Sequence, residues 1–337
     1  MSALELRDVR VHYREAGPGA RRLVAVDGVS LSVGEGETVG LVGESGCGKT
    51  TIGRAILGLV PLADGEILWG GRRIDALSAD AFRPLRRDLQ CVFQDPHACL
   101  DPRMTLMESV AEPLRNFEPA IERRERRQRA LSRLAEVGLD ATLAGRYPHQ
   151  LSGGQLQRAV IARALVADPR FVVCDEPVSA LDLPVQGQVL SLLERVREER
   201  RLANLFISHN LAVVARLCPR LLVMFRGRVV ESGPRAELVR RPRHPYTREL
   251  LDAVPVVDVA ARGRLAASAA RPRPVQEAAS PRGCAFAGRC PHVLPRCRVE
   301  APVLLPLAAG VAVACHRAVE WPAGLPPVTE GATGIAG

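Results

Sequence analysis

The segment Gly43-Glu44-Ser45-Gly46-Cys47-Gly48-Lys49-Thr50 constrains this chain more than any other. It follows the apolar run TVGLV (38–42) and leads into a helix-compatible stretch from about Gly48 to Val60. Glycine, four residues, glycine, lysine and a hydroxyl residue, set between strand and helix, is the phosphate-loop pattern. The glycines let successive backbone N–H groups curl around one anion, and the helix N-terminus adds its dipole. Lys49 then reaches the terminal phosphates, and the Thr50 hydroxyl meets a divalent cation. Of the 46 lysine and arginine residues, Lys49 is the only lysine. A bias toward arginine explains the other basic residues but not this one, because a compact ammonium fits a tight phosphate cradle better than a planar guanidinium.

Composition closes off several other classes. With 337 residues, 47% hydrophobic and 25% charged, the chain has material for a large core and is not disordered. The longest uncharged apolar stretch, Ala301 to Ala314, contains two prolines and is too short for a spanning helix. The N-terminal MSALELRDVR lacks a continuous apolar signal core, so the chain is expected to stay in the cytosol and to meet a membrane only through partners. The net charge of +9 is spread along the chain, and its densest run, IERRERRQR from Ile121, is interleaved with glutamates. That reads as a solvated helix face rather than a nucleic-acid stripe.

Alternating segments over 3–33 read as antiparallel strands, and 64–74 and 221–233 as hairpins. Strands at 88–93, 171–175 and 205–208 alternate with helical patterns, which predicts a mostly parallel α/β sheet wrapped by helices. A helical subdomain is expected over about 100–166, within a nucleotide-binding domain spanning 1–253. Residues 254–282 read as an Ala/Arg/Pro linker, 283–317 as a cysteine-bearing module and 318–337 as a loose tail. Asp175 and Glu176 end an apolar strand, where such sheets present residues to a ligand crevice. The aspartate suits Mg²⁺ and the glutamate a general base toward water. Leu151-Ser152-Gly153-Gly154-Gln155 sits just before a helix, and offers a second anion site through a hydroxyl and free backbone donors.

Taken together, residues 3–253 resemble an ATP-binding-cassette (ABC) ATPase: a P-loop, RecA-like cassette with an antiparallel β subdomain and an inserted helical subdomain. GESGCGKT resembles its Walker A loop, FVVCDE its Walker B strand and LSGGQ its signature. The resemblance implies ATP contacts from Gly43 through Thr50 and Thr51, with Tyr13 stacking on adenine. It implies Mg²⁺ near Thr50, Gln94 and Asp175. It also makes Glu176, His209 of ISHN and Gln94 of VFQDP catalytic, and Asp182 of SALD the D-loop acid. In this family two cassettes sandwich two ATP molecules, each between one Walker A loop and the other chain's LSGGQ. One copy of each motif therefore implies a second cassette subunit. The segments VFQDPHACLDPRMT, RYPHQLSGGQ and RHPYTRELLDAVP resemble dipeptide/oligopeptide importer ATPases, with DPRMT similar to the second of two non-identical ATPases. This implies a heterodimer on the cytoplasmic face of the membrane, two transmembrane permeases, an extracellular substrate-binding protein acting indirectly, and no nucleic acid. Importers for nickel or glutathione share the signature, and a soluble, nucleic-acid-associated cassette ATPase is the alternative class. Asn210, after the switch histidine, and Leu156, after the signature, depart from the residues often found there.

Four of nine cysteines, Cys284, Cys290, Cys297 and Cys315, cluster in the C-terminal module. Disulfides are disfavoured in a reducing cytosol, and four thiolates in a loop-rich segment suit a Cys₄ metal centre. The resemblance adds a [4Fe–4S] cluster, which some family members are thought to hold there. Zinc and no metal stay open, because the spacings match no tight CxxC knuckle. His316 reads as a surface neighbour of the last cysteine.

Overall fold

The computed structural model describes residues 2–14, 22–253, 282–321, 324 and 325. The expected linker over 254–282 lies outside the described residues except for Arg282, as does most of the tail. The chain divides into two compact units, residues 1–219 with 226–228, and residues 220–225 with 229–337. No described helix is long and apolar enough to cross a membrane.

The first unit opens with β1 (Ser2–Arg14) and β2 (Arg22–Gly34), an antiparallel pair whose inward face carries Leu4, Leu6, Val9, Val11, Val29 and Val33. β4 (Asp64–Trp69) and β5 (Arg72–Arg73) complete this sheet in the order β2-β1-β4-β5. Buried and more exposed positions interchange along much of β1, β2 and β4, as on a sheet with one covered face. The parallel layer consists of β3 (Thr38–Val42), β6 (Leu89–Val92), β7 (Phe171–Asp175) and β8 (Ala203–Ser208), in the order β3-β8-β7-β6. β3, β7 and β8 are buried along their whole length, as strands covered on both faces must be.

Helix α1 (Lys49–Ile56) follows β3 and packs Gly53 against Val173 and Ile207. It is shorter than the 48–60 expected, because Leu57 and Gly58 close it with a left-handed turn at Gly58. Two single-turn helices, α2 (Ala79–Phe82) and α3 (Pro96–Cys99), precede the helical subdomain. That subdomain consists of α4 (Leu106–Phe117), α5 (Arg123–Glu136) and α6 (Gly153–Leu165), which pack pairwise. Thr105 and Glu108 start α4 with a reciprocal capping box, so the break before it is written in the sequence. α5 is arginine-rich and mostly exposed, as its charge pattern predicts, yet Arg133 is buried. Its guanidinium pairs with Glu136 and, at 2.7 Å, with Asp168. Arg200, on α7 (Leu183–Arg200), binds the same two acids at 2.8 and 2.7 Å and so ties α5 to α7. α8 (Leu211–Leu217) completes the unit.

The second unit contains the hairpin strands β9 (Arg220–Phe225) and β10 (Arg228–Pro234), then α9 (Arg235–Arg240) and α10 (Pro245–Asp252). The short strands β11 (Leu305–Pro306) and β12 (Ala312–Val313) extend it in the order β11-β12-β10-β9. Its core is aromatic: Phe225, Tyr246 and Phe286 meet tilted or edge-on at centroid distances of 4.6, 5.3 and 5.6 Å, with the Arg289 guanidinium over all three rings. Such ring and cation contacts add to simple area burial. Glu231 is fully buried and accepts the backbone N–H groups of Arg243 and His244 at 2.8 and 3.0 Å. Residues 318–320 form a 3₁₀ turn, and Trp321 is buried against His292.

His244 caps α10, its Nδ1 accepting the Tyr246 N–H at 3.1 Å. Burial pushes the imidazole down from 6.5 to about 3. The unfolded chain takes up this proton first, so the neutral ring's contribution is complete above pH ~6.5 and is lost as pH falls toward ~3. His244→Asn keeps a capping oxygen and removes the titration. The acid dependence of stability between roughly pH 6.5 and 5 should then flatten by up to about 1.4 kcal/mol per pH unit. Urea unfolding of the full chain measures it, and an unchanged slope would show that His244 is not the titrating group.

Candidate functional site

Every expected nucleotide-site motif of the first unit lies at a strand end or a helix start. The Gly43–Gly48 loop leaves β3, and Gly48 adopts φ +106°, a conformation that a β-carbon disfavours, directly before α1. Lys49 is buried, and its Nζ donates to the carbonyls of Gly43 at 2.7 Å and Glu44 at 2.9 Å. The ammonium is thus held inside the curl of the loop. Its reach is fixed by the backbone, not by a carboxylate partner. Cys47 accepts the Gly227 N–H on its carbonyl at 2.9 Å, and the Gly227 carbonyl accepts the Asp27 N–H at 2.9 Å. A turn 180 residues downstream therefore pins the loop, and no local sequence signal announces it. The Tyr13 hydroxyl lies 3.4 Å from Thr51 Oγ1, so β1 carries the tyrosine to the side of α1.

At the end of β7 the two acids diverge. The Thr50 hydroxyl donates to Asp175 Oδ1 at 3.1 Å. Burial raises the Asp175 carboxyl above its ordinary value, the Thr50 hydrogen bond opposing the shift. Glu176, also buried, takes φ +48°, in the left-handed region. For a residue with a side chain this costs about 1–2 kcal/mol and persists only where the surroundings enforce it. Its Oε2 sits 3.0 Å from His209 Nδ1 and 3.4 Å from Gln94 Nε2. The chain leaving β6 and β8 thus brings two side chains, Gln94 and His209, to the carboxylate that follows β7. A hydroxyl, two carboxylates and an amide form an oxygen-bearing donor set of the kind hard divalent cations take, so these residues fit Mg²⁺.

The signature is placed differently. Ser152 is the N-cap of α6, its Oγ accepting the Gln155 N–H at 3.3 Å while Gln155 Oε1 accepts the Ser152 N–H at 3.0 Å. Leu151 is half-buried, and Ser152 and Gly153 are exposed. A β-carbon on Gly154 would meet Val185 Cγ1 at 2.6 Å, so the glycine allows the close approach of α7. Asp182 caps α7 by accepting the Val185 N–H at 3.2 Å. The D-loop and signature are therefore packed as neighbours within one chain. Both departures noted in the sequence are accommodated: Asn210 caps α8 through the Ala212 N–H at 2.9 Å, and Leu156 is buried in the packing of α6.

In the second unit the four clustered thiols share one neighbourhood. Burial pushes Cys290 up to about 12 and Cys315 up to about 11, and each also feels Cys284 and Cys297. The Cys284 N–H donates to the Cys297 carbonyl at 2.8 Å. Among the described residues, however, no three His, Cys, Asp or Glu side chains come together as a set able to hold a metal ion. The expected Cys₄ centre is therefore not formed as a metal-ligand set among the described residues, where Cys297 is buried and Cys284, Cys290 and Cys315 are half-buried. The His316 Nε2 lies 3.0 Å from the Glu300 carbonyl, a backbone contact in keeping with a surface neighbour of Cys315.

A family model described as ABC transporter matches residues 26–179, and one described as oligopeptide/dipeptide transporter, C-terminal region, matches residues 230–297. The oligopeptide transport ATP-binding protein OppF of Escherichia coli (strain K12) is 45% identical over 311 residues, covering 89% of this chain and 92% of that protein. The oligopeptide transport ATP-binding protein AppF of Bacillus subtilis (strain 168) is 44% identical over 321 residues, covering 93% and 96%. A solved ATP-binding cassette, dimeric and bound to ADP and Pi in a post-hydrolysis state, is 32% identical with a TM-score of 0.63, covering 68% of this chain and 98% of that one. With a phosphate loop, a strand-end acid pair and a capped signature helix in one α/β unit, the chain belongs to the ABC transporter ATPases, in the branch of the oligopeptide transport ATP-binding proteins.

Proposed function

We propose that this ATPase couples ATP hydrolysis to the import of di- or oligopeptides, with Glu176 as the general base. The observation that carries the reading is the convergence of His209 and Gln94 on the Glu176 carboxylate, beside the Thr50–Asp175 pair. Residues Gly43 to Gly48 supply backbone donors to the phosphates of ATP, with Thr51 and Tyr13 alongside. Lys49, already turned into the loop, exchanges its carbonyl partners for phosphate oxygens. Thr50, Asp175 and Gln94 would hold Mg²⁺, which when bound neutralises charge on the β- and γ-phosphates. Glu176 accepts a proton from the attacking water. His209, its Nδ1 at 3.0 Å from Glu176 Oε2, fixes that carboxylate's rotamer and faces the terminal phosphate. General-base assistance of this kind supplies about 10²–10⁴-fold in rate.

The exposed Ser152 and Gly153, backed by the Asp182-capped helix, support a second role. They would close on ATP held by a mate's Walker A loop, and a non-identical cassette is the mate we infer. The groove lined by Leu57, Leu59, Phe93, Cys99, Phe117 and Arg163, next to Gln94, supports docking of a transmembrane permease. Two permeases would then hold the chain at the cytoplasmic face of the membrane, with a substrate-binding protein selecting cargo on the other side. Nickel or glutathione are the other cargo classes that fit this ATPase type.

Glu176→Gln should leave ATP binding within about twofold and lower turnover by roughly 10²-fold or more. It should also trap an ATP-bound pair with the mate, read by size-exclusion chromatography. Wild-type hydrolysis by this variant removes Glu176 as the base, and a monomer at saturating ATP with its mate present removes the shared site. The finer proposal for the C-terminal module, a [4Fe–4S] cluster on Cys284, Cys290, Cys297 and Cys315, rests on the donor set alone. It requires brown, anaerobically purified protein with roughly four iron and four sulfide per chain, and colourless, iron-free protein retires it.

A further inference from the structure

The left-handed backbone of Glu176 needs an explanation that the nucleotide motifs do not supply. A non-glycine residue stays at φ +48° only if its neighbours hold it there. Two sets of hydrogen bonds grip its peptide groups. On one side its N–H donates to the Ile207 carbonyl at 2.9 Å, in β8, two residues before His209. On the other, its carbonyl accepts two donors from a single residue: the Ser179 N–H at 3.2 Å and the Ser179 hydroxyl at 3.1 Å. The Ile207 grip is backbone only and is built into the β7–β8 ladder. The Ser179 hydroxyl is the one part of the clamp that a side chain provides.

The direction of the effect follows from geometry. If the carbonyl loses its second donor, φ relaxes toward the right-handed side and the Cα–Cβ vector turns with it. The carboxylate then swings from His209 and Gln94, its contacts at 3.0 and 3.4 Å. Misplacing a reacting group by about 1 Å can cost about 10²-fold. We propose that Ser179 is a positioning residue for hydrolysis: its hydroxyl holds Glu176 in the left-handed conformation that aims the base at water. The inference rests on Glu176 being that base. Ser179 touches neither nucleotide nor water in this proposal and acts only through Glu176.

The test uses the full-length chain assembled with its mate and permeases. Ser179→Ala should lower kcat by about tenfold or more, with the KM for ATP changed by less than about twofold. Ser179→Thr, which keeps the hydroxyl, should recover most of the rate. In the Glu176→Gln background, Ser179→Ala should produce no further loss in single-turnover hydrolysis, because there is no base left to misplace. Should Ser179→Ala fail to fold, Ser179→Cys, a near-isostere and weaker donor, carries the test with a rate below that of wild type. An unchanged kcat for Ser179→Ala, alongside an inactive Glu176→Gln, overturns the clamp and leaves the base assignment standing. An equal loss in both backgrounds, or loss of ATP-driven pairing with the mate, also overturns it. Wild-type turnover by Glu176→Gln fails the base assignment itself, whatever Ser179→Ala does.

Discussion

The hydrogen bond from Thr50 to Asp175 joins the first turn of α1 to the last residue of β7 at 3.1 Å, across 125 positions of sequence. β3 and β7 are not adjacent; β8 lies between them. The bond therefore forms only if three parallel strands end in register and α1 sits on them through Gly53. It is a part-buried bond to a carboxylate, a stronger kind than a bond between neutral groups. Lys49, Glu176 and His209 take their positions from the same strand ends. The site is thus less a set of loops than the rim of a sheet, and its precision is that of the sheet.

Much of this was legible in the sequence because the relevant signals are local. A glycine-rich octapeptide between strand and helix, a lone lysine among arginines, and an apolar strand ending in two acids each need only a short window. The parallel layer was legible for a related reason, since strands covered on both faces read as continuous apolar runs. Glu176 shows what was not legible. Nothing in its residue type announces a positive φ, and of the partners that hold it Ser179 lies only three residues on, while Ile207 lies on another strand. The Gly227 grip on the Cys47 carbonyl was hidden for the same reason, being a contact between backbone groups far apart in sequence. The cysteine spacings pointed to four thiols within one module and no more, because spacing along the chain fixes neither how near four sulfurs come nor which way they point.

The arginine bias also has a structural use. Most of α5 is solvated, yet Arg133 and Arg200 meet on Glu136 and Asp168 and knit the helical subdomain to α7, the helix that follows the D-loop. Arginine suits this role because its planar fork can serve two acids at once. The exposed members of that network are worth little individually. Arg133 is different: it is buried, and only its two acids together, Glu136 and Asp168, keep its charge from being left uncompensated.

The aromatic core of the second unit sets a limit on how this chain can be shortened. Phe225 belongs to the hairpin and Tyr246 to α10, but Phe286 and Arg289, which close over them, arrive from the cysteine module. A chain ended after α10 would keep every nucleotide motif and still lose one wall and the lid of that cluster, leaving two large rings open to water. The boundary that motif content suggests is therefore not the boundary at which this aromatic cluster is whole, because the carboxy-terminal extension walls in the hairpin.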